Sequence, residues 1–128
     1  MDRIRFIDHE GQKILLADFS GCGAQEVAAL ADSVPLFVTP EPDRSVLLLA
    51  DFSNAKLNRE NVERIKIAAV RNRQHLRRSA WVFNGNLPKV LHHAVQTFSS
   101  REIPKFESRE AAMEFLVGGS QHRTSRAG

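Results

Sequence analysis

Apolar and polar residues come in short alternating blocks along this chain, and the blocks read in turn as strands and helices. Ile4 and Phe6, then Ile14–Ala17, are apolar segments separated by HEGQK, where Gly11 supplies a turn; together they predict an antiparallel hairpin. After GCG (21–23), Val27, Leu30, Ala31 and Val34 recur at helical spacing and predict a helix with one buried face. Pro35 should kink or end that helix, because its ring clashes with the preceding turn; an irregular extra turn and a proline-forced loop follow in PLFVTPEPDR. SVLLLADF (45–52) is almost continuously apolar, as a strand buried on both faces would be. Residues 58–73 predict a helix capped by Asn58, with Val62, Ile65 and Ala69 facing inward. AWVF (80–83) predicts a short buried strand. NGN (84–86) is a turn from which Asn86 caps a helix carrying Leu87, Val90, Leu91, Ala94, Val95 and Phe98 on one face. EIPKF (102–106) is a last short strand, and Ser108 caps a final helix burying Ala111, Ala112, Phe115 and Leu116.

The order ββαβαβαβα predicts an α/β fold: a mixed, mostly parallel sheet of about five strands with four helices. At 128 residues the chain suits one domain, 1–117, followed by a frayed polar tail, 118–128. The hexamer LLADFS occurs twice, at 15–20 and 48–53. A solenoid would need a third copy, so the reading is one strand-to-helix joint used twice: Asp opens the turn, Phe packs back and Ser bonds local backbone. Both joints fall at carboxyl ends of strands, where open α/β sheets gather ligands and partners. The loops GCG, NAKLN (54–58) and NGN should therefore share one rim, which makes Ser20, Cys22, Ser53, Asn54, Asn58, Glu60, Asn84 and Asn86 the candidate contact residues.

With its hairpin, helix, strand, loop and helix in this order, the chain resembles the STAS domains, which include the anti-sigma-factor antagonists of bacterial sporulation. It looks most like stand-alone bacterial proteins described as STAS-like or CRAL-TRIO-like. The residues that carry the resemblance are RIRFIDHEGQKILLADFSGC, VLLLADFSNAKLNRENVERIK and IPKFESREAAMEFL, and it covers roughly residues 1–117. The resemblance implies a non-enzymatic regulatory module that binds a protein. The antagonists are phosphorylated on a serine in a turn before the second helix; that turn falls here at Arg59–Val62, which holds no serine or threonine. Glu60 could stand in for a phosphate charge, but an acidic residue in a first helical turn is ordinary for dipole reasons alone.

Composition narrows the partners. Apolar residues at 42% and charged residues at 26% are ordinary for a globular domain; no run is long enough to span a membrane, and a cytoplasmic location is expected. The net charge of +3 falls to about +1 without Arg123 and Arg126 of the tail, which argues against nucleic acid. RIKIAAVRNRQHLRR (64–78) reads as a basic helix face, with Arg64, Lys66, Arg71 and Arg73 as docking residues. Cys22, just before a helix, could be a reactive thiolate, although a plain loop thiol is the commoner case. His9, His75, His92, His93 and His122 show no metal-ligand spacing, and GCG is no phosphate loop, so no metal, cofactor or catalytic residue is expected. An apolar pocket lined by Trp81, Phe83 and Phe98 is the alternative, which would make the chain a carrier or sensor of an apolar, lipid or anionic ligand. The partner's identity and a homodimer stay open.

Overall fold

A computed structural model describes residues 3–83 and 103–118. The hairpin forms as predicted: β1 (Ile4–His9) runs antiparallel to β2 (Gln12–Asp18). Glu10 (φ 50°) and Gly11 (φ 80°) make its two-residue turn, and two left-handed residues in a row give the type I′ geometry that matches strand twist. α1 (Ala24–Val38) follows, then β3 (Val46–Asp51), α2 (Arg59–Asn72), a single 3₁₀ turn (Arg73–His75), β4 (Leu76–Val82), β5 (Lys105–Phe106) and α3 (Arg109–Leu116). The strands lie side by side in chain order, β1-β2-β3-β4-β5, with every pair after the hairpin parallel.

The period-2 pattern of the strands sorts the core into two layers. Leu15, Ala17, Leu48, Ala50 and Trp81 point to one face, where Val27, Ala31, Val34 and Val38 of α1 and Ile65 of α2 cover them. Ile14, Leu16, Leu47, Leu49, Ala80 and Val82 point to the other, under Ala112 and Leu116 of α3. All six residues of β3 are buried, as its unbroken apolar run required.

Three local expectations need correction. α1 does not end at Pro35 but runs on to Val38, with Pro35 itself buried; the Pro35 carbonyl accepts both the N–H (2.9 Å) and the hydroxyl (2.8 Å) of Thr39, which close the last turn. The basic stretch 64–78 is not one helix face. α2 stops at Asn72, and β4 takes Arg78 to the opposite side of the sheet, where its guanidinium donates to the Phe115 carbonyl (2.9 Å). In α3, Ala111 is exposed and Phe115 only half-buried; Ala112 and Leu116 do the burying. Among the described residues there are three α-helices, and the helix expected from Asn86 lies outside them, as do Asn84 and the tail from 119.

Candidate functional site

The repeated hexamer is the frame of the site. Its two copies lie on adjacent strands in register: Leu15 opposite Leu48, Ala17 opposite Ala50 and Asp18 opposite Asp51. In each copy the aspartate turns back on its own loop and accepts the N–H of the serine two residues on, Ser20 to Asp18 Oδ1 (3.0 Å) and Ser53 to Asp51 Oδ1 (2.9 Å). Such Asx turns end a strand by giving the backbone a local partner. The phenylalanines between them, Phe19 and Phe52, stack at 4.6 Å under the turns. The two following loops are joined by Gly21 N–H to the Ser53 carbonyl (2.9 Å) and Lys56 N–H to the Cys22 carbonyl (3.0 Å). The rim is thus a tied double loop.

Two carboxylates side by side in a mostly apolar sheet demand a cation. Arg109, the first residue of α3, supplies it: Nε donates to Asp51 Oδ2 (2.6 Å) and a terminal nitrogen to Asp18 Oδ1 (3.1 Å). Arg3 approaches Asp18 from the other side (3.6 Å) and donates to the Asp18 and Ser20 carbonyls. Burial alone would raise the Asp18 pKa, but the Ser20 hydroxyl and amide, then Arg109, outweigh it and hold the carboxyl below its ordinary value of 3.8. The Arg109 guanidinium, whose burial alone would lower its pKa, is pushed up instead by the same two aspartates. A carboxylate held below its unfolded pKa stabilises the fold at neutral pH, and that contribution is lost as pH falls through the folded value. Urea melts between pH 6 and pH 3 should therefore show stability falling in acid. Ser20→Ala should flatten that fall, and an equal acid loss in both proteins would count against the assignment.

Of the rim residues expected from sequence, Ser20, Ser53 and Asn54 stand on these loops, with Asn54 exposed at φ 60°. Asn58 caps α2 by accepting Asn61 N–H (2.8 Å), and Asn61 returns the contact to Asn58 N–H (2.9 Å). Asn61 is fully buried and also donates its amide to the Ala24 (3.1 Å) and Lys56 (3.0 Å) carbonyls, so it fastens the starts of α1 and α2 together. Glu60 lies exposed and within 3.8 Å of Arg64, which pairs with Asp32 of α1. Cys22 is buried, and burial pushes its thiol pKa up, away from a thiolate. Asn84 and Asn86 lie outside the described residues. Of the basic residues, Arg64 and Lys66 have acidic partners, Asp32 and Glu63; Arg71 and Arg73 are exposed.

Sequence reasoning missed Asp18, Asp51 and Arg109. An aspartate closing each of two buried apolar strands was the available signal, since a buried carboxylate needs a partner. Nothing local named Arg109, which is 58 residues from Asp51.

Along the seam of α1 and α2 the surface changes character. At the rim end is a polar groove of about 320 Å³, lined by Asp32, Asn58, Glu60 and Arg64 among others. One turn beyond the Asp32–Arg64 pair, Leu36 is 67% exposed and Ile67 56%, with Val70 42% exposed on the next turn of α2. On the far side of the sheet, His9, Glu10 and Glu114 each bring one potential metal-ligand atom to within 4.8 Å of the others. That cluster lies at the surface and away from the rim loops.

No family model and no curated protein matches the chain. A solved structure does: a DUF3478-family protein of uncharacterised function with a SpoIIAA-like fold, from Shewanella loihica PV-4, at a TM-score of 0.67. The two are 14% identical, and the match covers 88% of this chain and 91% of that one. Likeness at that identity concerns architecture, and the chain accordingly has the SpoIIAA-like, STAS-type fold.

Proposed function

We propose that the chain is a non-enzymatic regulatory module of the STAS type, which docks a protein partner along the α1–α2 seam, beyond the polar groove and toward the C-terminal ends of the two helices. The observation that carries this reading is that three large aliphatic side chains are left exposed on these two helices, Leu36 on α1 and Ile67 and Val70 on α2. Single exposed apolar residues are ordinary on a monomer, but several together beside a polar groove have the anatomy of an interface core with its rim. Arg71 adjoins them on α2, exposed and without an ion-pair partner among the described residues. The partner's docking segment should therefore present an apolar centre flanked by acidic side chains. Regulation would proceed without a phosphoacceptor at the start of α2, where Asn61 is buried and Glu60 already faces Arg64.

The test is a comparison of the wild type with Ile67→Glu/Arg71→Glu as cross-linking baits in the native cells, followed by titration of each against the purified partner. Both substitutions are at the surface, so stability should stay within about 0.5 kcal/mol. Affinity should fall roughly tenfold or more, because a charge replaces the apolar centre and another is reversed. A partner that binds both proteins equally, or the absence of any partner, would overturn the proposal.

A further inference from the structure

At the turn of the hairpin, side chains from two distant segments converge on one point. His9 closes β1, Glu10 follows it in the turn, and Glu114 comes from α3, 105 residues along the chain from His9. His9 Nε2 stands 3.4 Å from Glu114 Oε2 and 3.7 Å from Glu10 Oε2, and the three atoms all lie within 4.8 Å of one another. Those distances are long for charge-assisted hydrogen bonds, which close to about 2.7–2.9 Å. They suit a shared ion: bonds of about 2.0–2.1 Å to a tetrahedral zinc hold neighbouring ligand atoms about 3.3–3.4 Å apart. Two carboxylates so close also repel each other unless positive charge stands between them. The convergence does not depend on the three side chains themselves. Gln12 Nε2 donates to the Val117 carbonyl (2.9 Å), and Ile7 of β1 and Met113 of α3 pack against the same core layer.

The donor set selects the ion. Calcium and magnesium take shells of oxygen and gain little from an imidazole. Zinc accepts an imidazole nitrogen and carboxylate oxygens alike. We infer that His9, Glu10 and Glu114 bind one divalent transition-metal ion of the zinc class, which clamps the hairpin turn to α3. The side chains of Glu10 and Glu114 are 60% and 58% exposed, so water completes the shell. The clamp acts where the fold needs it. α3 has only eight residues, too few to hold a helix unaided, yet its Ala112 and Leu116 cover the second core layer. Spacing along the sequence gave no sign of the site, because two ligands are adjacent and the third is on the last helix. The site lies on the opposite side of the sheet from α1 and α2, so it and the proposed docking seam can fail independently.

The competing arrangement is a plain surface ion pair between His9 and the two glutamates, which holds no metal. Tag-free full chain, stripped with a chelator and titrated with zinc chloride in a calorimeter, should bind one ion with a Kd tighter than about 0.1 mM. Calcium chloride over the same range should give no saturable heat. His9→Gln and Glu114→Gln should each weaken zinc binding at least about tenfold, since even the loss of an outer-shell partner costs roughly 10–100-fold. Amide exchange in α3 should slow with zinc in the wild type and not in Glu114→Gln. Zinc-induced ¹H–¹⁵N NMR shifts in the wild type should centre on His9, Glu10 and Glu114, which keeps the test valid if a variant does not fold. No saturable binding, or a Kd weaker than about 0.1 mM, would overturn the inference. Unchanged affinity in both variants, or shifts centred elsewhere, would put zinc on another histidine and also overturn it. Loss with His9→Gln alone would leave α3 out of the site and refute the clamp.

Discussion

Phe52→Ala should destabilise the protein by about 4 kcal/mol, read as a loss of urea midpoint at unchanged m-value. The ring is 1% exposed, stacks on Phe19 at 4.6 Å and meets the edge of Trp81 at 4.9 Å. Its removal forfeits transfer energy and leaves a void, and two neighbours are too rigid to fill it: β3 is hydrogen-bonded on both sides, and Phe19 sits on the equivalent joint. Phe19→Ala should cost a similar amount. The double variant should cost less than the sum, because the first deletion already removes the stacking contact. Phe6, 38% exposed on the outer strand, is the control, and Phe6→Ala should cost less than about 1 kcal/mol. A Phe52→Ala protein as stable as Phe6→Ala would refute the packing account.

Arg109→Met should cost about 2–3 kcal/mol by a different route. Asp51 has a side chain only 6% exposed, and without Arg109 it keeps one hydrogen bond, from Ser53 N–H. A buried carboxylate stripped of its partner costs about 3–5 kcal/mol; the Arg109 side chain is 34% exposed, so water reaches the site when it is gone and the lower figure is expected. If the cost comes from an uncompensated charge, adding Asp51→Asn to Arg109→Met should restore at least about half of it, since the amide has no charge to bury. Equal urea midpoints for the single and double variants would show that lost packing of α3, and not the stranded carboxylate, sets the cost.

How much of this was legible from sequence depended on distance along the chain. The hairpin turn at Gly11, the Asn58 and Ser108 caps and the apolar run of β3 are local signals, and all four read correctly. The stretch RNRQHLRR (71–78) misled because a run of charges has no period to mark where a helix stops; the 3₁₀ turn and the switch to β4 are set by Leu76 packing into the core. Asn61 and Asn72 were invisible to a count of apolar spacing, although both are buried on the inner face of α2. The repeated hexamer declared two equivalent joints but not their register. Nor could it name the arginine that bridges them, because an ion pair closed across the whole sheet leaves no trace in either segment.

The spatial order of the sheet is the order of the chain. As the protein leaves the ribosome, each strand finds its neighbour already made, and the sheet can grow outward without waiting for distant sequence. Arg109 is the exception. It arrives with the last helix, so Asp51 stays without its cation while most of the sheet is already laid down. The Arg109–Asp51 pair is therefore a closing step in assembling this sheet. Until residue 109 emerges, the growing sheet carries a carboxylate without its cation.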